Sequence, residues 1–199
     1  MAFFSDTNVG GFQPKRAFRF LVTFSELSNL TFMAKTAAKP SYDMAIKEHN
    51  VLNHVFKFPG VVKWSDVSVT FIDAVEPNIG SKFYNALRNS GYVAPISEAN
   101  LMTGVTKVGT HATIGEVTIK QLDGGGIILP AGADPGDFAG PVDATNVVEE
   151  WTLKNAFLKS VKFGDSLDYG SEEIVNISVD ITYDYATYTS VEGGVPLGQ

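Results

Sequence analysis

The sequence has no cysteine. Disulfides, thiolate metal sites and cysteine nucleophiles are therefore excluded, and the composition fits a protein made in a reducing cytosol. Charge is also scarce: 19% of residues are charged, against about 25% in ordinary soluble domains. The balance leans negative, with a formal net charge of −7, which argues against a surface built to grip phosphates. Lys35, Lys39, Lys47, Lys57 and Lys63 are dispersed, with Asp43 and Glu48 among them. They read either as a solvated surface or as partners for acidic groups on neighbouring subunits. No apolar run approaches the ~20 residues of a membrane helix. The segment MAFFSDTNVGGFQPKR lacks the basic start and apolar run of a signal peptide. The expectation is a soluble chain not exported by a classical signal.

The usual constellations of catalysis are missing as well. Of the histidines, His49 and His54 face opposite sides of any single strand, and His111 stands in a threonine-rich stretch. No pair of histidines has helical zinc-ligand spacing. Gly124–Gly126 precede neither a lysine nor a helix pattern, so they form no phosphate loop. No G-x-S-x-G elbow occurs. Asp134 with Asp137, and Asp165 with Asp168, fall in turn-like segments where aspartate bonds its own backbone. The segment around Asp165 and Asp168 lacks the glycine and distal glutamate of a calcium loop. The triplets at Asn29 and Asn176 match glycosylation acceptors, but the second lies in a predicted strand. No catalytic residue, metal site or cofactor is expected.

What is present is apolar and aromatic: 199 residues, 44% hydrophobic, with 14 Phe and 7 Tyr. This suffices for one core, so one domain over 1–199 is expected. The aromatic excess fits either a β core rich in Phe or surface that meets other subunits. Phe18, Phe20, Val22 and Phe24 alternate with Arg19, Leu21 and Thr23, which predicts a half-buried strand. Residues 30–34 read as its return strand. Val67, Val69 and Phe71 alternate with Ser68 and Thr70 in a second clear strand, and residues 115–122 give a shorter one.

Ile79, Phe83, Ala86 and Leu87 form one stripe of a helix over about 78–90, with Asn78 as cap, Arg88 in the last turn and Gly91 as terminator. Residues 151–163 read as one bulged strand or as two, with the phase broken at Asn155. The clearest pattern is the last. Val175, Ile177, Val179, Ile181, Tyr183 and Tyr185 alternate with Asn176, Ser178, Asp180, Thr182 and Asp184 in one predicted strand.

Other segments carry less period. Residues 1–17 read as an irregular arm, and 189–199 as a flexible tail. Residues 31–58 read as a long hairpin with an irregular middle at 35–50, closed by a turn at Pro59–Gly60. Within that middle Tyr42, Met44 and Ile46 alternate on one face, more apolar than a free loop needs, with Lys39, Lys47 and Glu48 beside them. These six residues are the candidates for a subunit interface. Residues 123–146, rich in Gly, Pro and Asp, read as an excursion loop. The fold class expected is mainly β: a small barrel or two-sheet sandwich with one flanking helix and a long hairpin or loop.

Taken in order, the segments FRFLVTF, FMAKTAAKPSY, HVFKFPG, WSDVSVTFID, the helix, and WTLKNAFLKSVKFGDSLDYGSEEIVNISVDITYDYATY resemble the tail tube proteins of contractile-tailed, T4-like bacteriophages. The resemblance covers about 17–90 and 150–188, and leaves 91–149 as a variable insertion. It implies a structural virion protein and not an enzyme. Homohexameric rings would stack into the inner tail tube, assembled in the host cytoplasm. The sheath would surround the tube, and a tape-measure protein would occupy it before DNA passes. Baseplate and terminator proteins would be further partners. Tube proteins of type VI secretion and of extracellular contractile injection particles are similar and form the alternative. A monomeric β-barrel binding a ligand or glycan is an alternative of another class. Asn176, Ser178, Asp180, Thr182 and Asp184 are the candidates to face the lumen; the same face could instead meet solvent or the sheath.

Overall fold

The computed structural model describes residues 15–27, 30–98, 100, 104–122, 147–192 and 195–196. The strands are β1 (Phe20–Phe24), β2 (Ala34–Ala37), β3 (Tyr42–Val51), β4 (His54–Trp64), β5 (Val67–Ile72), β6 (Val117–Leu122), β7 (Val147–Lys154), β8 (Phe157–Lys162), β9 (Asn176–Thr182), β10 (Tyr185–Glu192) and β11 (Val195–Pro196). Two helices, α1 (Ile79–Asn89) and α2 (Lys107–Ile114), lie between β5 and β6. The strands form a five-stranded sheet, β1-β6-β7-β10-β11, a four-stranded sheet, β2-β5-β9-β8, and the separate pair β3-β4. Among the described residues every strand pairing is antiparallel.

Period-2 patterning explains how the two large sheets meet. Val67, Val69 and Phe71 of β5 are buried, as are Ile177, Val179 and Ile181 of β9. They face Val22 and Phe24 of β1, Val117 and Ile119 of β6, and Leu153 of β7 in one cluster. Phe83 of α1 closes it: its ring lies 5.5 Å from Phe71 and 6.4 Å from Phe24. Each such fully buried side chain contributes about 1.5–3 kcal/mol. Of the two arrangements expected, the two-sheet one is present. Among the described residues neither sheet closes into a barrel, and β2 and β8 are the open edges of the four-stranded sheet.

The first helix follows the reading closely. Asn78 Oδ1 accepts a hydrogen bond from the Ser81 N–H at 2.7 Å, and Gly91, at φ 106°, follows the last turn. Ile79, Phe83 and Ala86 are buried, while Leu87 stays partly exposed. The break at Asn155 (φ 56°) divides β7 from β8 and sends them to different sheets.

Several expectations need correction. The flanking helix is not alone, because α2 packs beside it. The pattern of α2 is weak: only Ile114 is buried, and Gly109 and two threonines dilute its propensity. Gly109 is there for space, since a Cβ would lie 2.8 Å from the Ser90 carbonyl oxygen at the end of α1. Residues 91–149, expected as a variable insertion, supply α2, β6 and the start of β7; the predicted loop 123–146 lies outside the described residues. Residues 189–192 are not tail but the end of β10, and Ser190 pairs opposite Glu149. Of the predicted arm 1–17, only Lys15–Ala17 are described. The single strand predicted over 175–185 is two strands. β9 ends at Thr182, and the chain turns through Tyr183 and Asp184 into β10 of the other sheet. The alternation survives the corner because Tyr183 remains buried, so periodicity could not reveal the turn.

Candidate assembly interface

The predicted turn at Pro59–Gly60 is also absent. Both residues sit inside β4, and the reversal comes at Leu52–Asn53, with Leu52 at φ 52°. The irregular middle at 35–50 is thus mostly regular strand. β3 and β4 pair from Tyr42↔Trp64 at the root to Val51↔His54 at the tip. At ~3.3 Å per residue the ribbon is about 30 Å long. Its side chains are nearly all exposed, including Ile46 at 62%, Phe58 at 55% and Leu52 at 97%. The proline is tolerated because a bulge interrupts the ladder between Met44 and Ile46. Gly60 lies where a Cβ would approach the Ala45 carbonyl oxygen to 2.8 Å.

Cross-strand neighbours share a face, and this sorts the apolar side chains. Tyr42, Met44 and Ile46 do lie on one face, as expected, with Trp64, Val62 and Pro59 opposite them. Beyond the bulge that face turns polar, with Glu48 opposite Lys57 and their charged atoms 3.6 Å apart. Phe58 and Phe56 lie on the other face, opposite Lys47 and His49. The apolar stripe therefore changes sides halfway along the ribbon. Phe56 and Phe58 were not among the interface candidates, although their alternation in HVFKF was visible; it reads equally well as an ordinary core strand.

Among the described residues, those that anchor the ribbon lie at its root. Trp64 packs on Tyr42 at 5.5 Å and on buried Tyr183 at 5.9 Å between ring centroids. Burial, with Asp66 nearby, pushes the Tyr183 hydroxyl up to about 12. The Ser65 N–H donates to the Ser41 carbonyl at 2.9 Å. Tyr42 is thus half root and half arm. Lys39 turns back onto the body, donating to Gln121 Oε1 at 2.5 Å and to the carboxylate of Glu149. Glu149 is 5% exposed and also accepts from Lys15. Burial pushes its carboxyl up, but the two lysine bonds outweigh burial and hold it below the ordinary value. Gln121 Nε2 donates to the Arg16 carbonyl at 3.2 Å. This clasp was invisible in the sequence, because its members are scattered along the chain.

Asn176, Ser178, Asp180 and Thr182 share the outward face of the four-stranded sheet, with Ser68 and Thr70 alongside. Asp184 does not join them. It lies in the corner after β9, 2.6 Å from the Lys107 ammonium and accepting from Asn155 Nδ2 at 2.8 Å. These two bonds lower its carboxyl. The face is not simply acidic. Asp180 accepts from Ser160 Oγ at 2.7 Å and Ser68 Oγ at 2.5 Å. Asp66 pairs with Lys159 at 2.5 Å and accepts from Thr182 Oγ1 at 2.7 Å. Both carboxyls are lowered, Asp180 by Ser160 and Ser68, Asp66 by Lys159 and Thr182. Among the described residues no three His, Asp or Glu side chains are grouped to hold a metal ion. A groove of about 270 Å³ runs between α1, α2 and β8, lined by Leu87, Val105, Leu158 and Phe163 among others.

No family model matches the sequence, and no curated protein matches it. Solved structures do match. A chain of the anti-feeding prophage cap, which terminates its tube, is 18% identical with a TM-score of 0.59, covering 96% of this chain and 100% of that one. A chain of the anti-feeding prophage baseplate is 16% identical with a TM-score of 0.59, covering 91% and 99%. A chain of the extended sheath–tube complex of the extracellular contractile injection system PVC is 16% identical with a TM-score of 0.57, covering 94% and 99%. Over more than nine-tenths of its length, the chain has the fold of components of contractile injection systems.

Proposed function

We propose that this chain is a self-assembling tube subunit of a contractile particle, forming homohexameric rings that stack into a conduit. The observation that carries the reading is the β3–β4 ribbon. A lone two-stranded hairpin is marginally stable in water. This one is exposed along its length and carries large apolar side chains on both faces. Such a ribbon makes physical sense when neighbouring copies cover it.

The open edges β2 and β8 support the ring. Unpaired edge strands invite pairing, and joining β2 of one copy to β8 of the next closes the liability. The face bearing Asn176, Ser178, Asp180 and Thr182 would then line the lumen. Its hydroxyls and internally paired charges give a wall with little net field to hold a polyanion. In the phage form of this reading the conduit passes DNA, a tape-measure protein occupies it beforehand, and sheath, baseplate and terminator proteins are the partners. The second form is the tube of an extracellular injection particle, favoured by the assemblies to which the matched chains belong.

The test is self-association. Concentrated protein viewed by negative-stain microscopy is expected to give rings or rods. Ile46→Ala with Phe58→Ala should leave the monomer folded and weaken assembly, since each truncation removes about 1–3 kcal/mol if buried between copies. Monomer alone at every concentration would overturn the reading.

A further inference from the structure

The two strands of the ribbon reach the body by different routes. The exit strand, β4, passes through Ser65 and Asp66 into β5. There Asp66 pairs with Lys159 at 2.5 Å and accepts from Thr182 Oγ1 at 2.7 Å, and Val67 stands opposite Ile181. That strand is held by the four-stranded sheet. The entry strand, β3, comes from β2 through residues 38–41. The Ala38 N–H still donates to the Ser68 carbonyl at 2.9 Å, on the four-stranded sheet. One residue later the chain changes sheets. Lys39 donates to Gln121 Oε1 on β6 and to the Glu149 carboxylate on β7, and both acceptor residues are buried. Pro40 follows at once and disfavours a helical backbone at Lys39, which stiffens the connection where the side chain is tied. Glu149 takes Lys39 on one carboxylate oxygen and Lys15 on the other.

Resting on the assembly reading above for its purpose, we infer that Glu149 is a positioning residue: by holding Lys39, its carboxylate sets the angle at which the ribbon leaves the body. The ribbon's length makes that angle matter. A swing of about 10° at the root moves the tip of a ~30 Å ribbon by about 5 Å, more than the rise of one strand residue. An interface packed as densely as a protein interior does not absorb such a shift. The contact of Trp64 with Tyr183, at 5.9 Å between ring centroids, lies beside the exit strand and serves as a pivot. Apolar packing of this kind has little directionality. The Lys39 bonds add a second point of attachment on the other sheet, and two points fix a direction where one does not. They are also hard to exchange for water, because charge-assisted bonds are strong and their acceptor is a buried carboxylate. Lys15 plays a different part. It keeps the carboxylate compensated when Lys39 is removed, so the ribbon can be freed without stranding a buried charge.

The absence of cysteine makes the test clean, because introduced thiols have no native competitor. Nitroxide labels go on Asn53→Cys at the ribbon tip and on Thr187→Cys of β10, both exposed positions. Pulsed electron resonance on protein diluted to monomer then reads the distance from the tip to the five-stranded sheet. The parent is expected to give one narrow distribution. Lys39→Met should widen it or shift it by several ångströms, and Lys39→Arg, which keeps a charged donor, should restore it. Lys15→Met takes the same charge from the same carboxylate but leaves the ribbon tied, so it should match the parent. In unlabelled protein, Lys39→Met should raise the concentration needed for rods several-fold, and Lys15→Met should not. A Lys39→Met distribution as narrow as the parent's and at the same distance overturns the inference and leaves the assembly reading standing. So does a Lys15→Met distribution that widens as much as that of Lys39→Met, since the effect is then general loosening. If the distances behave as expected but the parent forms no rods at any concentration, the assembly reading falls and the angle-setting role stands.

Discussion

Replacing Glu149 by glutamine and, separately, replacing both of its lysines by methionine should give opposite-looking results. The Glu149 side chain is 7% exposed, whereas the Lys15 and Lys39 side chains are 44% and 51% exposed. In Glu149→Gln the lysines recover water, and the amide oxygen still accepts one hydrogen bond. Each lost charge-assisted bond is worth ~1.5–3 kcal/mol, offset by relief of the carboxylate's desolvation, so the net cost should be about 1–2 kcal/mol. In Lys15→Met with Lys39→Met the carboxylate stays buried without a cation, which should cost about 3–5 kcal/mol. Urea unfolding followed by Trp fluorescence reads both as shifts in midpoint at constant slope. Acid adds a second check. A carboxyl held below its ordinary 4.5 contributes stability in full above that value and loses it as pH falls through the lower folded value. Glu149→Gln should therefore flatten the acid limb below 4.5, and the double lysine variant should be rescued by mild acid, which neutralises the stranded group. If the glutamine variant costs as much as the double lysine variant at neutral pH, the reasoning about which partner is desolvated is wrong.

Two further outcomes follow from the packing. Gly109→Ala should destabilise by about 1–3 kcal/mol despite alanine's better helix propensity, because the new Cβ meets the Ser90 carbonyl at 2.8 Å; a rise in thermal midpoint would refute the close-approach account. Tyr183→Ala should cost ~3–5 kcal/mol by opening a cavity under Trp64. Tyr183→Phe should keep the ring packing and shift stability by under about 1.5 kcal/mol, and Trp fluorescence at the ribbon root should separate the two.

The sequence was legible where one local rule governed a whole element. β1 and β5 declare themselves by alternation, and α1 by its stripe, its Asn78 cap and Gly91. The fold class followed from these. It was illegible where tertiary contacts overrode local signals. α2 carries a glycine chosen for helix–helix approach, not for helix formation. Pro59–Gly60 looks like a turn but lies inside β4 beside a bulge, while the true reversal at Leu52–Asn53 has no glycine or proline. The corner at Tyr183–Asp184 preserves phase and hides a change of sheet. Among the candidate interface residues, Tyr42, Met44 and Ile46 share their expected face. Lys39 is committed inward because its partner Glu149 lies 110 positions away, a distance no pattern reading spans.

The mid-ribbon switch of the apolar stripe bears on how an assembly would grow. A flat arm, greasy on one side, is satisfied by a single neighbour and adds copies one at a time at even strength. An arm whose root half is apolar on one side and whose tip half is apolar on the other needs a surface beneath it and another above. The first copies to meet would then leave half of every arm wet, and only later arrivals would cover the rest. Growth of that kind has a sharp threshold: little below a critical concentration, and long polymers once a seed exists.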